Sequence, residues 1–165
     1  MLTQNEKNYL GKINPNKRVS VKRFDPKAKE IGELIISKLK EKFPTLKILF
    51  MGATALGIAG QNDIDIYVLA NPKDFNIYLP SLEKLFGKPK NMHKTFIEWK
   101  FAKNGYQVEL YLTEPPKKQI KVFKILKSNR KLLKEYEKLK LNFDGKSFRD
   151  YQKAKYEFYH KILRQ

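Results

Sequence analysis

The pair Asn104-Gly105 stands between two runs, residues 95–103 and 106–113, in which apolar and polar side chains largely alternate. A two-residue hairpin turn needs positive φ at both of its central positions, and Asn followed by Gly is the pair that tolerates this best. Closing the turn with two residues also fixes the register: Lys103 falls opposite Tyr106, Phe101 opposite Val108, Lys100 opposite Glu109 and Trp99 opposite Leu110. Trp99, Phe101, Val108 and Leu110 then share an apolar face, and Glu98, Lys100, Gln107 and Glu109 a polar one. The chain must cover the first face and find a use for the second.

The stretch 46–69, LKILFMGATALGIAGQNDIDIYVL, adds two more strands. Residues 46–51 read as an apolar strand, 52–62 as a tight connection, and a second strand begins near Asp63. Along it Ile64, Ile66 and Val68 point one way while Asp63, Asp65 and Tyr67 point the other. Helices surround these strands. Asp25-Pro26 supplies an N-cap acceptor and a proline whose missing N–H costs nothing at the first helical position. Ile31, Leu34, Ile35 and Leu39 continue that helix toward Phe43-Pro44, and Asn71-Pro72 opens another over 73–86, irregular at Pro80. After Pro115-Pro116, helical spacing of Ile120, Phe123, Ile125 and Leu126, then Leu132, Leu133, Tyr136 and Leu139, then Phe148, Tyr151, Tyr156, Phe158 and Ile162 predicts three helices. Residues 1–24 have no sustained period and read as an irregular arm. The expected class is α+β: a mixed sheet flanked by helices in a core of residues 25–114, with a helical region, 115–165, packed on it as one domain overall.

Composition supports a packed core, since 41% of the 165 residues are hydrophobic and 13% aromatic. The formal charge is +18, with 16 basic and 6 acidic residues after position 113 against 6 and 5 in residues 51–100. Such a field attracts polyanions, and it also serves merely to keep a surface soluble; both readings stand. The chain has no cysteine, so disulfides, thiolate catalysis and Cys-based zinc sites are excluded. The N-terminus lacks a signal-peptide apolar run, and the longest uncharged run, 48–62, has 15 residues where a bilayer span needs about 20. The expectation is a cytoplasmic protein with no membrane partner.

Paired carboxylates on one strand face, joined by a third from a neighbouring strand, suit a hard divalent cation, Mg2+ or Mn2+, and such cations neutralise charge in phosphoryl and nucleotidyl transfer. Asp63, Asp65 and Glu109 are the candidate metal-binding and catalytic set. A phosphate tail also needs backbone N–H groups reached without side-chain obstruction, which Gly52, Ala53 and Thr54 offer. Lys100 is the candidate cation for the nucleotide beside them. Gly52 to Gly57 has P-loop spacing, but Ile58 and Ala59 stand where Lys and Ser or Thr are required, and no GxGxxG occurs.

The run G52-A-T-A-L-G57 followed by N62-D-I-D65-I resembles the nucleotidyltransferase signature of the DNA polymerase β superfamily: Gly-Ser, a short linker, Asp-x-Asp, and a later third acid. The resemblance implies that Asp63 and Asp65 hold magnesium and that Glu109 in VELYL is the third acid. Arg23-Phe-Asp-Pro, the run KVFKILKSNRKLLKEYEKLK and the closing Y151-x-x-x-K155-x-x-F158 are similar to the GrpB-like branch of that superfamily. The family serine is Ala53 here, with Thr54 as the neighbouring hydroxyl, and that branch's HxGST and KPxIDI appear as FMGAT and QNDIDI. What the resemblance implies is a magnesium-dependent transfer of a nucleoside monophosphate from a nucleoside triphosphate to an acceptor hydroxyl or phosphate; the basic C-terminal region suggests that the acceptor is acidic, with RNA as the candidate. The alternative is a non-catalytic nucleotide- or RNA-binding module on a degraded transferase fold.

Each residue also has a plainer reading. Asp63 and Asp65 could be a solvated strand start, and Glu109 could simply pair with Lys100 across the hairpin. His93 and His160 read as solvent-facing or packing residues, and the C-terminal Tyr and Phe residues as core. Lys117, Lys118, Lys121, Lys124 and Lys127 fit a polyanion path and a solvated helix face equally well.

Overall fold

A computed structural model describes residues 1–164. Five strands form one sheet in the order β1-β2-β5-β4-β3. They are β1 (Lys47–Met51), β2 (Ile64–Leu69), β3 (Asn91–Met92), β4 (Phe96–Lys103) and β5 (Tyr106–Thr113). Only β2 and β5 run parallel, so the sheet is mixed. The hairpin holds the register its sequence sets, with Lys103 opposite Tyr106 and Lys100 opposite Glu109, and Asn104 and Gly105 take φ of 50° and 83°.

The apolar face lies under α2 (Pro26–Lys42) and α4 (Phe75–Phe86), where Ile64, Ile66, Val68, Val108, Leu110, Leu112 and Trp99 are sealed from solvent. Ala28, Ile31, Ile35 and Leu39 form the buried seam of α2, and Leu34, expected on that seam, stays 64% exposed because it lies off the i, i+4, i+8 line. A Cβ on Gly32 would strike the Phe50 ring, so glycine is what allows α2 to lie this close to β1. Pro80 sits inside α4 without ending it.

Two connections differ from expectation. Residues 52–62 contain a one-turn helix, α3 (Gly52–Leu56), ended by Gly57 at φ 71°. Residues 1–24 are not irregular throughout: α1 (Gln4–Lys12) opens on a capping box in which Glu6 N donates to Thr3 Oγ1 and Thr3 N to Glu6 Oε2. Leu10 is its only buried residue, too little for a period to show. The segment after α1 runs extended, bridging Arg18 to Ser147 and Lys22 to Gly60.

The remaining helices, α5 (Lys117–Ser128), α6 (Arg130–Asn142) and α7 (Phe148–Leu163), follow β5. Val122, Leu126, Leu132, Tyr136, Phe158 and Ile162 pack together with Ile58 from the loop after α3. Ala59 N donates to Glu137 Oε1 at 2.8 Å, tying that loop to α6. These helices therefore stand opposite the polar face of the sheet. No helix among the described residues is long and apolar enough to cross a membrane.

Candidate active site

The polar face of the sheet and the helices opposite it enclose a cleft of about 500 Å³. Asp63 and Asp65 come from the start of β2, and Glu109 is the register neighbour of Asp65 on β5. All three line the cleft, as do Gly52, Ala53, Thr54 and Lys100, whereas the lysines of α5 do not.

Two turns aim the aspartates. Asn62 adopts positive φ, accepts from Asp25 N and donates to the Arg23 carbonyl, both at 3.1 Å, which anchors the residue before Asp63 to the start of α2. Thr54 is buried, and its hydroxyl donates to the Asp63 carbonyl at 2.6 Å. That hydroxyl steadies the acidic turn instead of standing free where the family serine would be. Gly52, at φ 84°, has no room for a side chain: a Cβ there would run into the Asp65 carboxylate. Glycine at this position thus lets backbone and carboxylate share one corner of the cleft.

The third acid is differently placed. Lys100 Nζ lies 3.0 Å from Glu109 and 3.4 Å from Glu98, and Tyr111 O–H reaches both, at 3.0 and 3.2 Å. Asn91 donates to the second Glu98 oxygen at 2.5 Å. Burial opposes ionisation of Glu98, but Asn91, Lys100 and Tyr111 hold its carboxyl below the usual range. The β4–β5 side of the cleft is therefore a closed polar network. Neither Asp63 nor Asp65 has a side-chain or backbone donor on its carboxylate among the described residues. Burial first, and then Glu109, raise the Asp63 carboxyl. The same two causes, with Asp63 added, push Asp65 up to about 7 against the pull of Lys155 and Lys140.

The opposite wall holds residues that the sequence reading passed over. Lys140 is 6% exposed, donates to Tyr151 Oη at 2.7 Å and sits 4.8 Å above the Tyr136 ring. Burial, with Lys155 beside it, brings its ammonium down to about 7. Lys155 stands 5.7 Å over the Tyr159 ring, and Tyr159, then Tyr151 and Asp65, draw it upward against burial. Tyr136 and Tyr159 share a hydroxyl contact of 2.9 Å. A signal existed: Leu132, Tyr136 and Lys140 fall at i, i+4 and i+8, so a lysine occupies the buried stripe of α6, and Tyr151, Lys155 and Tyr159 repeat the pattern on α7. Of the two histidines, His93 lies against Phe96, and His160 Nε2 pairs with Glu6 at 2.9 Å.

The donor chemistry at Asp63 and Asp65 fits a hard divalent cation: oxygen ligands only, unpaired, and crowded enough by like charge for a cation to relieve them. Glu109 does not converge with them as placed, for among the described residues no three Asp, Glu, His or Cys side chains stand close enough to hold one ion.

A protein-family profile described as GrpB protein matches residues 18–165. The chain belongs to the GrpB family. Its α1 lies outside the matched residues. Among solved structures, the Cid1 poly(U) polymerase with MgGTP bound superposes with a TM-score of 0.52 at 18% identity, over 82% of this chain and 44% of that one. The same polymerase with Mg 3′-dATP bound gives 0.53 at 15% identity, over 82% and 43%. This GrpB-family fold is thus nucleotidyltransferase-like, and it spans less than half the length of those relatives. No curated protein matches.

Proposed function

We propose that this GrpB-family protein transfers a nucleoside monophosphate from a nucleoside triphosphate to an acidic acceptor, with RNA as the candidate. The observation that carries the reading is the pair of unpaired carboxylates, Asp63 and Asp65, facing Lys140 and Lys155 across one cleft. Asp63 and Asp65 would hold Mg2+ or Mn2+, which supplies charge neutralisation and alignment of the phosphates. Lys140 and Lys155 attract the triphosphate oxygens, and Gly52 leaves its backbone open to them. Lys100 holds the Glu109 carboxylate at 3.0 Å until the acceptor arrives. Glu109 then takes the proton of the acceptor hydroxyl, whose oxygen bonds to the α-phosphorus while the bond to the bridging oxygen of the β-phosphate breaks and pyrophosphate leaves. The exposed lysines of α5, Lys117, Lys118, Lys121, Lys124 and Lys127, favour a polyanionic acceptor.

Label transfer from each of the four nucleoside triphosphates to total RNA, with magnesium, tests the reading. Transfer is expected from the wild type and absent from Asp63→Ala/Asp65→Ala; transfer that persists in the double variant sinks the site assignment. Ala53 in place of the serine, together with the engagement of Glu109 by Lys100 and Tyr111, favours a second reading as a binding module without catalysis. Under that reading magnesium and triphosphate raise the melting temperature and no label moves.

A further inference from the structure

Beside the acid cleft lies a second chamber, of about 340 Å³. Asp65, Tyr67, Lys155 and Tyr159 line both, so the two spaces meet at the acid–lysine pair. Their chemistry differs. Carboxylates and lysines dominate the cleft, whereas Val122, Phe123 and Leu126 of α5 and Tyr156 and Leu163 of α7 line the chamber and not the cleft; Tyr9 of α1 stands at the junction and lines both. We infer that this chamber receives the nucleobase of the triphosphate and that α1, outside the family-matched residues, completes its wall. The inference rests on the transferase reading and adds where the base lies and what selects it.

A ligand with a polyanionic tail and a flat, weakly polar ring matches two joined spaces of this kind, because aromatic walls stack on any base face. The direction also follows from the cleft. Glu109 and Lys100 line the cleft and not the chamber, so an acceptor deprotonated by Glu109 enters from that side. The chamber, across Asp65, is left for the donor nucleotide.

Glu6 gives the chamber a polar edge. His160 Nε2 lies 3.0 and 2.9 Å from the two Glu6 oxygens, and Thr3 N donates to Oε2 at 2.7 Å, so the carboxylate is fixed from two sides. Oε1, with a single protein partner, keeps a lone pair for an N–H at the edge of a base. Adenine, guanine and cytosine carry an exocyclic amino group that projects from the ring with two N–H donors; uracil offers only its ring N3–H, set between two carbonyl oxygens that a carboxylate repels. The chamber therefore favours amino-bearing bases.

Affinities of inorganic tripolyphosphate, ATP and UTP, each with magnesium, separate the parts. The full-length wild type is expected to bind ATP at least about 10-fold more tightly than tripolyphosphate, the increment one stacked base provides. Leu163→Trp, which fills the chamber from the end of α7, is expected to erase that advantage and leave tripolyphosphate affinity unchanged. Tyr9→Ala, on a residue 45% exposed that lines both spaces, is expected to reduce the advantage by a second route. Glu6→Gln is expected to narrow the ratio between ATP and UTP. If tripolyphosphate binds but ATP gains nothing over it, or if both Leu163→Trp and Tyr9→Ala keep the advantage, the chamber inference is overturned while the transferase reading stands. If neither tripolyphosphate nor ATP binds, the transferase reading fails and takes the inference with it.

Discussion

On one face of the sheet, Ile64, Ile66, Val108 and Leu110 are sealed beneath α2 and α4; on the other, the alternating residues Asp65, Tyr67, Glu109 and Tyr111 stand in a cleft. The same strands thus build a face whose groups satisfy one another and a face where some do not. Trp99 illustrates the first: it is 1% exposed, and its indole N–H donates to the Gly87 carbonyl at 2.8 Å. Asp65 illustrates the second, on β2 with β5 between it and the strand of Trp99, with two neighbouring carboxylates and no donor. Burial separates the two faces, and within the cleft face pairing separates Glu98 and Glu109, which have partners, from Asp63 and Asp65, which have none. A fold that tolerates unpaired charge in one place holds there the free energy a ligand can release.

The largest expected effect lies on the sealed face. Trp99→Ala removes the biggest fully buried side chain and leaves the Gly87 carbonyl without its donor, at a cost of about 3–5 kcal/mol in chemical denaturation. A loss below 1 kcal/mol would mean that α4 does not seal the sheet as described.

Asp65→Asn should act in the opposite direction on stability. In metal-free buffer the native carboxyl titrates near 7 against an ordinary 3.8, so the native state binds more protons than the unfolded state between those values, and stability falls as pH rises through that window. The amide cannot ionise, so the variant should gain about 1–3 kcal/mol above pH 7, a gain that shrinks to nothing below pH 4, while label transfer is lost. A destabilised variant would break the comparison, because it would show Asp65 to be as well paired as Glu98.

Lys140 gives the mirror image. Its native ammonium titrates near 7 against an ordinary 10.5, so between these values the unfolded state binds more protons, and stability rises with pH by at most about 1.4 kcal/mol per unit. Lys140→Met should flatten the pH dependence of the unfolding free energy in that alkaline range. It should also weaken tripolyphosphate binding if Lys140 serves the phosphates. An unchanged slope would mean that the ammonium is better solvated than its burial suggests.

The two faces were unequally legible in the sequence. The hairpin register and the alternation along β2 are written in short-range pattern, since a strand has a period of two and an Asn-Gly turn admits one closure. The pairing of β2 with β5 that sets Glu109 beside Asp65 joins strands far apart in sequence, and it was legible through the family resemblance. What the residues do once gathered was less legible. The hairpin register already set Glu109 against Lys100, and the structure holds it there; that Tyr111 joins them and that Thr54 spends its hydroxyl on the Asp63 carbonyl depend on rotamers and neighbours that no spacing encodes. Lys140 and Lys155 were hidden by a different cause. In a chain with 35 basic residues, a lysine reads as surface, and only its place in the apolar stripes of α6 and α7 marks Lys140 as buried and Lys155 as half-buried. Helix α1 had its own mark in Thr3-x-x-Glu6, too short beside one buried leucine to stand out.

The smallest predicted effect tests whether the departure at Ala53 weakens the open face. Ala53 is the second residue of α3 and lines the cleft, and its Cβ abuts Gly60 so closely that no Cβ fits there. An added hydroxyl therefore has the cleft as its open direction. Ala53→Ser should leave stability within about 0.5 kcal/mol, as expected for a small polar addition beside solvent. It should also raise tripolyphosphate affinity, measured with magnesium, by about 2- to 5-fold, the increment of one hydrogen bond made in competition with water. If affinity and label transfer both rise, the phosphates lie against α3 and the alanine limits the native site. If affinity rises without transfer, Glu109 and its hold by Lys100 become the limiting feature, which the same measurement on Ala53→Ser/Lys100→Met resolves. If neither changes while the wild type binds tripolyphosphate, the phosphates sit against Lys140 and Lys155 alone, and the open face is built from its helical wall more than from its strands.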